Sequence, residues 1–435
     1  MSQLWIKDGL FVTMNEQAEV IQGHMVVEDG VIVYLDKQTP PATLLHSNVE
    51  KVNGHHLVFM PGLINTHGHT PMSLLRGYSD DQNLQVWLEQ KMWPMEAKYT
   101  EQDTHNGAAI SQVEMLLSGT TTFVDMYDRM EIVAALTEQT GMRGVLTRGV
   151  IGLCSPAEQK QKLDDAIQFA VTWNGKADGR ITTMLAPHAP YTCPPDYIAQ
   201  FVEAAVKYQL PLHTHMSESR AEVEQNIKQY GTRPVEHLDA LGFFSVPSLL
   251  AHAVHLTDEE IALLAAKDVA ISHNVISNLK LASGVARLPE LLQAGVRVSL
   301  GTDGPASNNN LNLFEEIRLA ALLHKGTTYD PTVIPATEAL KLGTYYGARS
   351  LRMEDSIGSL QVGKQADFIA LNIDQPHYYP LTDITSHLVY TANGHDVQHV
   401  WVAGKQLVKD RQCLTLDVEK IKYEAQASFE RLIEN

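Results

Sequence analysis

The chain has 435 residues, 44% hydrophobic and 19% charged, and its 33 Lys and Arg against 51 Asp and Glu give a formal charge of -18. That length holds several domains or one large barrel, and the apolar share is ample for a sizeable core. The acidic balance works against binding nucleic acid or an anionic membrane surface. Three dispersed cysteines, Cys154, Cys193 and Cys413, form neither a disulfide framework nor a zinc ribbon, which fits a reducing, cytoplasmic setting. The N-terminal stretch carries acids among its first apolar residues, unlike a signal peptide, and no apolar run is long enough to span a bilayer.

In chain order, LWIKDGLFVTM and EVIQGHMVVEDGVIVYLD place Asp8-Gly9 and Asp29-Gly30 between strand-like runs, and both pairs predict hairpin turns. Eight short apolar runs follow: LVFMPGLIN, GTTTFVDM, GMRGVLTRGVI, RITTMLAPHAP, LPLHTHMS, SLLAHAVHL, DVAISHN and VRVSLGTD. Helix-period segments separate them, such as 221–230 closed by Gly231 and 258–267 capped by Thr257. Strands alternating with helices imply parallel βαβ units, and eight of them point to a (β/α)8 TIM-like barrel. An open doubly wound sheet is the alternative, but no Gly-rich phosphate loop follows the first run. The tail returns to strand texture in GKQADFIALNI and DVQHVWVAGKQLVKD, and a charged helix starts near Asp417. Small strand-rich pieces at both ends need each other to bury their apolar faces. The expected organisation is therefore an α/β chain in three parts. Residues 1–57 and 355–435 form a discontinuous β-sandwich domain, with a C-terminal helix, around a barrel of residues 58–354.

Polar residues gather where the predicted strands end, which in a barrel is the active-site face. His67 and His69 alternate on the first strand and can aim at one point, with Gly68 removing bulk between them. The fifth strand supplies His213, Thr214 and His215, with Glu218 just beyond it. The sixth ends in His252, and the eighth in Asp303. An acid closing an apolar strand is costly unless paired or bound to a metal. A hydrogen-bonded polar group explains any one of these residues alone, whereas metal-type ligands at four strand ends together form a constellation.

PGLINTHGH, HTHMSE, the segment from Asn278 to Leu281 and GTDGPASNNN resemble the amidohydrolase superfamily in its nucleoside and base deaminase branch. Within it they are similar to the 5'-methylthioadenosine/S-adenosylhomocysteine deaminase group, over nearly the whole chain. The resemblance implies one divalent ion per chain held by His67, His69, His215 and Asp303, zinc or iron, since that donor set accommodates either. It also implies that Glu218 and His252 flank the attacking water. Asp303 would take the water's proton, His252 would orient the oxygen, and Glu218 would protonate the ring nitrogen. Glu96, Arg148 and His188 would meet an aminopurine nucleoside, and relatives commonly form homodimers or larger homo-oligomers. No lysine stands at the end of the fourth strand, where some relatives bridge two metals, so a mononuclear site is expected. The proline that many relatives carry after the histidine of strand seven is missing from His273-Asn274-Val275-Ile276, and that loop is expected to sit differently.

Pro94 predicts a helix end near Trp93 and a loop that brings Glu96 to the mouth, where it can hold ribose hydroxyls; an exposed surface carboxylate is the plainer reading. Arg148 near the end of strand three can meet ribose or a carboxylate tail, or simply join an inter-loop ion pair. His55 and His56 read as part of a polar connection before strand one, and His105, His237 and His324 as satisfied histidines within helices. Cys154 and Cys193 lack an evident base, and 308–310 reads as loop-shaping, with Ser307 within reach of the site. Guanine-type base deamination and s-triazine hydrolysis would use the same ligands. A metal-free scaffold of the same fold is the third reading, and metal analysis separates it from the other two.

Overall fold

The structure, a computed structural model, describes residues 2–434, and two sheets organise them. The first is an eight-stranded sheet in simple chain order, with neighbouring strands parallel. Its strands are Leu63–Asn65, Thr120–Tyr127, Arg143–Val150, Ile181–Pro187, Leu212–Met216, Ser248–His252, Ala270–His273 and Arg297–Leu300. Strands covered by helices on one face and by the barrel interior on the other carry near-continuous apolar or neutral runs. Leu212–Met216 and Ser248–His252 are accordingly buried at every position. The ring is completed just past the strand ends, where Thr66 N–H donates to Leu300 O at 3.0 Å and Asp303 N–H donates to His67 O at 3.0 Å.

The second sheet joins the two ends of the chain. Five N-terminal strands, from Gln3–Val12 to Leu57–Pro61, and four C-terminal ones, from Phe368–Asn372 to Gln412–Cys413, form a nine-stranded mixed sheet. Leu57–Pro61 is the junction, parallel to Gln3–Val12 and antiparallel to Phe368–Asn372. Phe11 stacks on Phe59 with ring centroids 5.2 Å apart, and Phe368 on Trp401 at 4.6 Å. A buried ion pair ties this sheet to the barrel: Arg143 Nε donates to Asp367 Oδ2 at 2.9 Å, while Asp367 Oδ1 accepts from Ala403 N–H at 2.7 Å.

Three local expectations are corrected. The run LVFMPGLIN is divided: Leu57–Pro61 lies in the mixed sheet and only Leu63–Asn65 enters the barrel. Gly62 makes the turn, in a space so tight that a Cβ there would lie 2.1 Å from Thr121 Oγ1. A run buried in two successive sheets has no periodicity to mark the change. Second, Asp29-Gly30 is a hairpin turn with φ of 46° and 85°, but Asp8-Gly9 stays within Gln3–Val12 as a register shift. Asp8, at φ 56°, shares the left-handed backbone of Asp29 and Gly30, and such a backbone serves a bulge as well as a turn. Third, Pro94 does not end the helix. Leu84–Trp87, a π turn over Leu88–Met92 and Trp93–Glu96 run on continuously. Trp93 N–H reaches back to Leu88 O, and this wider turn relieves the clash that a proline ring makes in a regular helix. Among the described residues no helix is long and apolar enough to cross a membrane.

Candidate active site

The mouth of the barrel is built from strand ends with strained backbones. Ser217, His252 and Asp303 have φ of 51°, 73° and 63°, a left-handed region in which side-chain-bearing residues persist only where their surroundings hold them. Gly301 is required by close approach, since a Cβ there would sit 2.4 Å from Ser272 Oγ and 2.9 Å from His67 N. Gly68 is not: a Cβ would meet nothing nearer than 3.6 Å, so it does not serve to remove bulk between His67 and His69.

The imidazoles share one arrangement, with Nδ1 tied outward and Nε2 turned inward. His69 Nδ1 lies 2.5 Å from Met126 O, and His215 Nδ1 lies 2.7 Å from His188 O. His67 Nδ1 lies 2.9 Å from His213 Nε2, and His252 Nδ1 lies 2.8 Å from Asn278 Oδ1. A carbonyl oxygen can only accept, so Nδ1 of His69, His215 and His252 carries the hydrogen, and each ring when neutral leaves Nε2 bare. Asp303 Oδ1 stands 3.4 Å from His67 Nε2 and 3.2 Å from His69 Nε2, and His215 Nε2 is 3.3 Å from His69 Nε2. His67 Nε2 is buried without a hydrogen-bond partner. Bare nitrogens converging on a carboxylate, one of them an orphan, form the donor set of a divalent metal ion.

Burial pushes His67 and His215 well below the ordinary histidine range, keeping them neutral, whereas at His69 burial is outweighed by the hydrogen-bond and Coulombic contact with Asp303, which raises it to about 9. Burial alone would raise Asp303, but its contacts with His67 and His69 outweigh it and hold the carboxyl well below its ordinary value. Its other oxygen is saturated, with Ser277 Oγ donating at 2.6 Å and Ser307 Oγ at 2.9 Å.

Glu218 and His252 stand beside this cluster, with Glu218 Oε2 3.7 Å from His252 Nε2. Burial raises the Glu218 pKa. The loop that carries it is gripped by buried Glu222, whose carboxylate accepts from Ser217 N–H at 2.8 Å and Glu218 N–H at 2.7 Å. The loop after strand seven is held similarly. Without proline it passes directly into a helix, Val275–Lys280. Buried Glu316 accepts from the N–H groups of Val275 and Ile276 at 3.0 and 3.3 Å and from Asn308 Nδ2 at 2.7 Å. That helix carries Ser277 and Asn278 to Asp303 and His252.

A cavity of about 260 Å3 opens from the cluster. His69, His215, Glu218, His252 and Asp303 line its floor, His188 its wall, and Trp87, Leu88, Trp93 and Leu281 its apolar side. Glu96 also lines it, on a helix and half-buried, where Tyr127 OH donates to Oε1 at 2.5 Å. Burial raises the Glu96 pKa and lowers that of His188 to about 3.

Arg148 is the candidate not brought to this cavity. Its neighbour Gly149 faces inward, whereas the Arg148 guanidinium pairs with Asp128 at 3.0 Å and stands 3.8 Å from Glu131 and 3.9 Å from Asp165. Alternation along the strand turns it to the helix layer, the ion-pair arrangement weighed above. The arginine that does line the cavity is Arg129, donating to Tyr99 O at 2.8 Å from a left-handed backbone. Nothing in its local sequence distinguishes it.

An eight-stranded parallel barrel with histidines, an aspartate and a glutamate at its C-terminal mouth defines a hydrolase of the barrel class. The chain belongs to the amidohydrolase family, whose family model matches residues 58–407. It is 47% identical over 433 residues to a 5-methylthioadenosine/S-adenosylhomocysteine deaminase of Halalkalibacterium halodurans, covering 99% of this chain and 98% of that relative. An adenosine deaminase from Xanthomonas campestris, solved with bound zinc, superimposes with a TM-score of 0.91 at 34% identity, covering 100% of this chain and 99% of the other. A zinc-complexed atrazine chlorohydrolase from Arthrobacter aurescens gives 0.88 at 25% identity, covering 98% and 100%.

Proposed function

We propose that this chain hydrolytically deaminates a purine nucleoside of the 5'-methylthioadenosine, S-adenosylhomocysteine or adenosine type, giving the inosine analogue and ammonia. The observation that carries the reading is the convergence of His67, His69 and His215 Nε2 and Asp303 Oδ1 beside Glu218, on the floor of a cavity that also holds Glu96. Those four groups would hold one divalent ion, zinc by analogy with the solved relatives. When bound, such an ion supplies a Lewis acid that eases deprotonation of water.

The protein's own groups do the rest. Asp303, kept anionic, receives the water's proton. His252, anchored through Asn278, directs Nε2 toward the oxygen as it adds to the amino-bearing ring carbon. Addition places an electron pair on the adjacent ring nitrogen, and Glu218, protonated more readily than an exposed glutamate, donates there. The proton held by Asp303 then passes to the amino group, the C–N bond breaks and ammonia leaves, and the carbonyl forms as the remaining hydroxyl proton passes to Glu218 and restores it. Glu96, with one oxygen engaged by Tyr127, offers the other to ribose hydroxyls, and neutral His188 contributes a hydrogen bond to purine or sugar. Arg148 would serve an anionic tail only by giving up Asp128.

Ammonia release measured over adenosine, 5'-methylthioadenosine, S-adenosylhomocysteine, guanine and aminotriazines tests the reading. Turnover of the nucleosides is expected, and reaction of guanine or triazines alone would overturn it.

A further inference from the structure

His213 neither lines the cavity nor belongs to the converging donor set, yet it is fully buried on the same strand as His215. Its ring spans two strands. Nδ1 lies 2.8 Å from Leu249 O on strand six, and Nε2 lies 2.9 Å from Nδ1 of His67, just beyond strand one. The hydrogens along this line have one arrangement. Leu249 O accepts only, so His213 Nδ1 carries a hydrogen, and a neutral ring then leaves Nε2 bare. That nitrogen accepts the Nδ1–H of His67, and His67 in turn presents a bare Nε2, the orphan facing Asp303.

For His69 and His215 this job falls to the main-chain carbonyls of Met126 and His188, which no side-chain change removes. His67 depends on a side chain instead. We infer that His213 is a positioning residue that fixes the tautomer and ring orientation of His67 and thereby sets the metal affinity of the site. The inference rests on the proposed ligand set, and groups behind metal ligands typically alter affinity about 10–100-fold when removed.

Three substitutions separate this role from space-filling. His213→Gln places its amide oxygen near the position of Nε2 and keeps an acceptor for His67. His213→Asn reaches only toward Leu249, and His213→Leu fills volume without polarity. Zinc affinity is measured by competition with a chromophoric chelator on the metal-stripped, refilled chain, alongside the rise in Tm that zinc produces. His213→Gln is expected to stay within about threefold of the parent, while His213→Asn and His213→Leu lose about 10–100-fold and most of the zinc-dependent rise in Tm. Parent-like affinity in either of the latter two would overturn the inference. Equal loss in all three, His213→Gln included, would also do so by pointing to bulk alone. If His213→Asn and His213→Leu do not fold, His213→Gln decides, since weak zinc binding there sinks the claim. A parent chain that takes up no zinc at all would instead sink the ligand set.

Discussion

Two of the contacts between buried imidazoles in this barrel bear comparison, and only one of them belongs to the candidate site. At the mouth, His67 and His213 touch at 2.9 Å; behind strand seven, His273 and His324 touch through their Nε2 atoms at 3.3 Å. Burial lowers the pKa in both pairs, to about 4 for His213, about 3 for His273 and about 4 for His324. Both also leave an unpartnered nitrogen, His67 Nε2 in one and His273 Nδ1 in the other. What differs is what that nitrogen faces. The first meets a carboxylate and two further imidazoles, whereas neither candidate metal group among the described residues includes His273 or His324. Burial and a depressed pKa mark a histidine as enclosed; convergence of bare donors on an acid marks a site.

Substitution at the two pairs offers the sharpest break. His67→Gln should abolish stoichiometric zinc uptake and all measurable deamination, while His273→Gln should leave zinc content at the parent level, both read by elemental analysis of the refilled chain. Zinc loss in both would dissolve the distinction. A smaller effect separates holding from chemistry within the mouth: Glu218→Gln should retain full zinc content while turnover falls about 10²–10⁴-fold, and unchanged turnover would remove Glu218 from proton transfer. The smallest effect concerns stability. His273 and His324 resist protonation in the fold, whereas in the unfolded chain they titrate near the ordinary value of about 6.5. The unfolded chain therefore binds protons first, and their contribution is complete above about pH 6.5 and drains away as pH falls toward 4. Chemical denaturation between pH 7 and 4.5 should show that decline, and His324→Leu should make it shallower.

Much of this was legible in the amino-acid order because it depends on short-range pattern. Eight apolar runs separated by helical spacing gave the barrel, and residue types at strand ends gave His67, His69, His215, Glu218, His252 and Asp303. What was not legible depends on direction or distant contact. One position along strand three separates inward Gly149 from outward Arg148, and composition does not reveal which faces the cavity. The π turn before Pro94 keeps Glu96 on a helix, where a proline rule predicts a loop. Among the groups that brace the mouth, Ser307 was placed near the site from the sequence, whereas Ser277, Glu222 and Glu316 are common residues whose roles arise only from tertiary partners. Of these three, Glu316 alone left a trace, an acid in the apolar stripe of Leu313, Ile317 and Ala320, which signals a buried and partnered carboxylate.

The closure of the ring has a temporal meaning. Asn65 Nδ2 donates to Thr302 Oγ1 across a sequence separation of 237, and at this same seam the HxH pair meets the aspartate. A nascent polypeptide leaving the ribosome therefore exposes His67 and His69 long before their acidic counterpart is synthesised. The converging donor set is incomplete until the eighth strand arrives.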